Sequence, residues 1–166
     1  MTRLFHIIVC LGLGAIPWHA TAQSPCESGE HRQLDFWVGQ WQVLNADGET
    51  VANSDISIQS GGCVILERFR AYSGYSGTSM NHWSADAGWL QLWRDANGVT
   101  IQFTGRLQDG AMVFEAEGFT DANGSYRRRM ELSAQPGGEV LQISNRSYDS
   151  GVSWLPEYRL TYRRIE

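Results

Sequence analysis

The chain has 166 residues, 18 acidic against 13 basic, all 13 of them arginine, and a net charge of −5. That length suits one domain with a core of its own. An acidic chain without a basic run gives no electrostatic reason to expect nucleic acid, whose backbone needs clustered positive charge along the sequence or fold.

Residues 1–22 read as a secretory signal: Arg3 gives a positive start, "LFHIIVCLGLGAI" an apolar run, and Ala20–Ala22 a small-x-small cleavage site. The run is short for a membrane span, which needs roughly 18 apolar residues, and no later stretch approaches that. The protein is therefore expected to be periplasmic or secreted, with no membrane span. Loss of the leader removes Cys10 and leaves Cys26 and Cys63. In an oxidising compartment these two either form a disulfide, worth roughly 2–4 kcal/mol, or stay as free thiols. Asn123 and Asn145 stand in N-x-S sequons, which matter only in a glycosylating host.

Residues 23–33 look like an irregular polar lead-in, and residues 34–166 form the domain. From Leu34 onward, segments of about ten residues rich in β-branched and aromatic types alternate with glycine turns. The turns are tight, as in "DANG" (twice), "QDG", "QPGG" and "YDSG". About ten strands joined by hairpins favour an all-β fold, a single up-and-down antiparallel β-barrel.

Turn chemistry assigns the faces. In "FWVGQWQV", Trp37, Gly39, Trp41 and Val43 share the inner face. In "GGCVILERFR" the inner set is Ile65, Glu67 and Phe69, because the other face carries Arg68 and Arg70. "SGYSGTS" reads as a flexible loop at one mouth. Closing "ADAG" as a hairpin places Trp83 opposite Gln91 and Asn81 opposite Trp93. The first "DANG", Asp95–Gly98, places Trp93 opposite Ile101 and Gln91 opposite Phe103. A two-residue turn at Asp109–Gly110 sets Gly105 against Phe114. The second "DANG" then sets Phe114 against Leu132, Ala116 against Met130 and Gly118 against Arg128. Glu115, Glu117, Arg127, Arg129 and Glu131 fall outside, and Arg127–Arg129 alternate faces rather than making one patch. Tyr158, Leu160 and Tyr162 close the inner face.

The interior so derived is aromatic but holds Glu67, Asn81, Gln91 and Arg128. A buried polar group without a partner costs roughly 1–3 kcal/mol, and an unpaired charge more. Either they satisfy one another, for instance Glu67 with Arg128, or they converge on a small molecule between aromatic walls. No zinc-ligand spacing is visible: beyond the leader there are only His31 and His82, the latter on the outer face. "GYSGTSMNH" is no nucleophile elbow, since no partner histidine faces the interior.

"HRQLDFWVGQWQV", "GGCVILE", "GTSMN" and "WLQLWRDANG" together resemble bacterial exported lipocalin-like proteins of unknown function. Gly39-x-Trp41 also resembles the Gly-x-Trp signature of the calycin superfamily, which includes lipocalins, fatty-acid-binding proteins and nitrobindins. The resemblance implies a lipocalin/nitrobindin-like barrel open at one end, often with an apolar ligand. It also implies an arginine of the last strand, Arg159 or Arg163, stacked on Trp41. Nitrobindin-like haem binding needs a late axial histidine; none follows His82, so no cofactor is expected.

The leading expectation is an exported barrel that binds a small apolar or aromatic molecule. Trp83, Trp89, Trp93 and Phe103 would form the walls, with Glu67, Asn81, Gln91 and Arg128 as orienting groups. The alternatives are an enzyme that moves a proton with Glu67 as acid or base, or an interaction protein, monomer or homodimer, that uses outer Leu90 and Leu92.

Overall fold

The computed structural model describes residues 25–165; the expected leader lies outside the described residues. Ten strands form a closed antiparallel up-and-down barrel: β1 Gly39–Leu44, β2 Thr50–Gln59, β3 Val64–Ala71, β4 Ser76–Ser84, β5 Gly88–Asp95, β6 Thr100–Gln108, β7 Ala111–Asp121, β8 Gly124–Ala134, β9 Val140–Ser147 and β10 Leu155–Arg164. Each strand pairs with the next, and β10 pairs with β1. Closure leaves no free sheet edge. No helix among the described residues is long and apolar enough to cross a membrane.

The connections after β2, β4, β6 and β8 lie at one end, here called lower, and those after β1, β3, β5, β7 and β9 at the upper end. The lead-in plugs the lower end. With the residues that follow it up to Trp37 it makes two short 3₁₀ turns, Glu30–Arg32 and Asp35–Trp37, and a Cys26–Cys63 disulfide ties it to the β2–β3 turn. Arg32 adds a 2.6 Å hydrogen bond to the Gly62 carbonyl. The segment is less polar in place than its composition suggests, because Cys26 and His31 are buried. Leu34 and Trp37 are buried in one core cluster with Trp41, Ile65, Trp89 and Phe114. Burying each such side chain contributes about 1.5–3 kcal/mol, enough to hold a segment with few ladder bonds.

The Trp41 indole N–H donates to the Trp37 carbonyl at 2.9 Å, and the Arg164 guanidinium lies 4.4 Å from the Trp41 ring centre. The expected Arg159 or Arg163 is therefore replaced by Arg164. The reason is parity: Arg164 stands opposite Trp41 and shares its side with Tyr162, whereas Arg163 points outward to Glu139 at 2.9 Å. Gly39, at φ +149°, is where Arg164 crosses the backbone, and a Cβ there would collide with the guanidinium.

The hairpin at Asp95–Gly98 has the expected register, Trp93 opposite Ile101 and Gln91 opposite Phe103. Gly105 faces Phe114, also as expected. Two registers differ by two residues. On β4–β5, Trp83 faces Trp89, Asn81 faces Gln91 and Ser79 faces Trp93, because Ala85–Ala87 form the loop. On β7–β8, Met112 faces Leu132, Phe114 faces Met130 and Ala116 faces Arg128. There the second "DANG" closes with Asp121 opposite Gly124, a two-residue loop, and a bulge between Ala116 and Phe119 restores the parity. Even-numbered slips leave the inner face intact.

Candidate functional site

The upper half of the barrel encloses a cavity of about 530 Å³. Phe69, Trp93, Ile101 and Phe103 wall one side, Met130, Tyr158 and Leu160 the other, and Ser73 and Tyr75 reach it from the β3–β4 loop. Trp37, Glu67, Gln91, Gln142 and Tyr162 form the polar, deeper part, and Arg128 completes the lining. Phe69, Tyr75 and Trp93 touch one another at centroid distances of 6.3–6.4 Å, an aromatic rim. Trp93 occupies the space over Gly77, where any Cβ would overlap its ring.

Of the residues singled out in the sequence, Glu67, Gln91, Trp93, Phe103 and Arg128 line this cavity. Asn81, Trp83 and Trp89 do not. Trp83 packs against His31 of the lead-in with ring centroids 5.0 Å apart, and the Trp89 indole N–H donates to Gln33 at 3.0 Å. Both tryptophans hold the plug. Asn81 is fully buried and reaches the lining only through its hydrogen bond from Gln91.

Glu67, 5% exposed, is the hub of a buried network. Ser54 and Ser79 hydroxyls donate to its two oxygens at 2.9 and 3.1 Å. Gln91 donates to Asn81 at 2.7 Å, and Asn81 donates to Ser79 at 2.9 Å and to the Ile65 carbonyl at 3.0 Å. The cavity-lining Gln91 is thus wired to Glu67 through two side chains. Burial pushes the Glu67 carboxyl up to about 7, against the pull of the Ser54, Ser79 and Tyr162 hydroxyls.

The Tyr162 hydroxyl lies 2.7 Å from Gln142 Oε1 and 3.2 Å from Glu67 Oε1, and it has one hydrogen to give. The Gln142 amide nitrogen is 3.2 Å from the Tyr158 hydroxyl, which leaves Oε1 as the acceptor for Tyr162. Glu67 and Gln142 thus compete for the one Tyr162 hydrogen.

Arg128 does not pair with Glu67. It forms a two-point ion pair with Glu157, Nε at 2.7 Å and Nη2 at 2.5 Å. Arg146 joins the same carboxylate at 2.9 Å and Ser144 donates to it at 2.9 Å. Burial raises the Glu157 carboxyl, but the hydrogen bonds and charges of Arg128, Ser144 and Arg146 outweigh it and hold it below its ordinary value. Asp121 and Tyr148 extend the cluster through Arg146, at 3.1 Å, and a 2.6 Å hydroxyl–carboxylate bond.

Sequence reasoning missed Glu157, Gln142, Ser144, Ser54 and Ser79. Glu157 is the extra residue of a bulge between Pro156 and Tyr158, so simple alternation does not apply to it. The signal was Pro156, since a strand proline marks an edge or a bulge. Among the described residues no group of three or more His, Cys, Asp or Glu could hold a metal ion. Compared with known proteins, the chain matches no family model and no curated relative.

Proposed function

We propose that the protein is an exported barrel of the calycin type that binds one small apolar or aromatic molecule in its upper cavity. The observation that carries this reading is a cavity of about 530 Å³ with aromatic walls and a polar depth, within the range of small-molecule sites. A filled core would leave no such space, because interiors pack at the density of organic crystals. The Trp37 indole N–H supports it as well: it is buried without a partner among the described residues, on a residue of the cavity lining. A ligand acceptor there would recover the roughly 1–3 kcal/mol an orphan donor costs.

Export is supported by the leader-like residues 1–22 and by the Cys26–Cys63 disulfide, which persists in oxidising compartments. Calycin membership is supported by Gly39-x-Trp41 with Arg164 stacked on Trp41.

Native and denaturing mass spectra of the exported protein test the reading. A defined extra mass lost on denaturation is expected, and lost also from a folded Trp93→Ala variant; full retention in that variant would sink the placement of the ligand against Trp93.

One observation favours a second reading. Glu67 sits at the cavity with its carboxyl near 7, the range in which a group both takes and gives a proton. In that reading Glu67 moves a proton on the bound molecule. Glu67→Gln would then bind but not turn over, and undiminished turnover would exclude it.

A further inference from the structure

Outside the barrel, and independent of the cavity, the wall of β3, β4 and β5 carries an unusual charge arrangement. Thr78 of β4 stands between Arg68 of β3 and Arg94 of β5, and Ser76 faces Arg70. A groove of about 300 Å³ runs between them. We propose that this groove is a binding site for a phosphate- or sulfate-type oxyanion, held by the guanidinium groups of Arg68, Arg70 and Arg94 with Ser76 and Thr78 as hydroxyl donors.

Arg127 and Arg129 pair with Glu115, Arg128 and Arg146 with Glu157, Arg163 with Glu139, and Arg32 with Asp35. Arg68, Arg70 and Arg94 form no ion pair with any described residue, although Asp55 stands across from Arg68 on β2. Arg106, Arg159 and Arg164 likewise form no ion pair with a described residue, but they lie on β6 and β10, outside the groove, and Arg164 is stacked on Trp41; the remaining described arginines are paired. Arg94 gives one hydrogen bond, to Thr100 at 2.5 Å. Asp95 lines the groove too, but one of its oxygens accepts from the Asn97 and Val99 amides of its own turn. Arg68 and Arg70 share a face of β3, and Arg94 stands one strand beyond Thr78, so the three like charges lie within a screening length of one another and repel. An acidic molecule of net charge −5 that gathers three uncompensated guanidiniums leaves that repulsion for an anion to relieve. The guanidinium fork is also the donor set that matches tetrahedral oxyanions two oxygens at a time.

Two sources share this chemistry. A free oxyanion needs only the arginines. Directly below them Leu66, Met80 and Leu92 lie side by side, Met80 and Leu92 40% and 37% exposed. That strip would meet the apolar part of a lipid whose phosphate occupies the groove.

The test uses the intact protein at low ionic strength. Inorganic phosphate and sulfate are titrated while the backbone amides of Ser76–Thr78 and the arginine Nε signals are followed by NMR. Sedimentation with phosphatidylglycerol vesicles, against phosphatidylcholine vesicles, runs in parallel. Saturable binding is expected, weakened about tenfold or more in a folded Arg68→Ala/Arg94→Ala variant and unchanged within about twofold in Arg106→Ala/Arg159→Ala, which removes the same two charges outside the groove. Saturation by the free ions assigns a soluble oxyanion; selective sedimentation with phosphatidylglycerol alone assigns a lipid phosphate. Binding of neither, or an equal loss in Arg106→Ala/Arg159→Ala, would overturn the site.

Discussion

Glu67 is a carboxylate for which the fold offers three hydroxyls and no cation. Burial outweighs the hydroxyls, so its proton is held more tightly in the folded chain than in the unfolded one, where the ordinary value of 4.5 applies. The folded state binds more protons between pH 4.5 and about 7, so stability falls as pH rises through that window. The stabilisation is complete below 4.5 and lost above about 7, a change of about 3 kcal/mol. Denaturant titrations across that range should show the decline in the native protein and a flat response in Glu67→Gln; a native protein that gains stability from pH 5 to 7 would contradict a neutral buried Glu67. At this scale the sequence was legible wherever alternation was clean. Glu67 was readable because the opposite face of its strand holds two arginines. Gln142 and Ser144 were not: on β9 they turn inward while Leu141 and Ile143 turn outward, the reverse of the usual binary pattern. Met80 outside Ser79 and Asn81 repeats that inversion on β4. A polar cavity lining necessarily erases the signal by which inner faces are recognised.

At the scale of elements, turn chemistry fixed parity better than register. The two "DANG" loops are identical in sequence, yet Asp95–Gly98 closes a three-residue loop and Asp121–Gly124 a two-residue one. The difference originates in the bulge near Gly118, a non-local feature of how β7 bends against β8, and no property of four residues encodes it. The plug was not legible for a related reason. Its few apolar residues show no period, and only the barrel's lower opening gives Leu34, Trp37 and His31 a place to be buried. Trp83 and Trp89 thereby become anchors of this plug rather than walls of a site. Reducing the Cys26–Cys63 bond, which spans a sequence separation of 37, should lower stability by about 4 kcal/mol on the chain-entropy estimate. The emission of Trp83 and Trp89 should redden as the plug frays. Unchanged thermal unfolding in a Cys26→Ser/Cys63→Ser variant would show that packing alone holds the segment.

At the scale of the whole molecule, the barrel is divided. Its lower half is dry core sealed by the plug, and its upper half is a cavity with an aromatic rim, a buried acid and a balanced arginine–carboxylate cluster. The ligand claim rests on that division, and a neutral apolar fluorophore such as N-phenyl-1-naphthylamine probes it without engaging the outer arginines. Titrated into the intact protein, it should bind saturably at one site, with energy transfer from Trp93, and binding should disappear in Ala71→Trp, which fills the cavity from β3. Absence of saturable binding to the intact protein, or undiminished binding in a folded Ala71→Trp variant, would contradict the account.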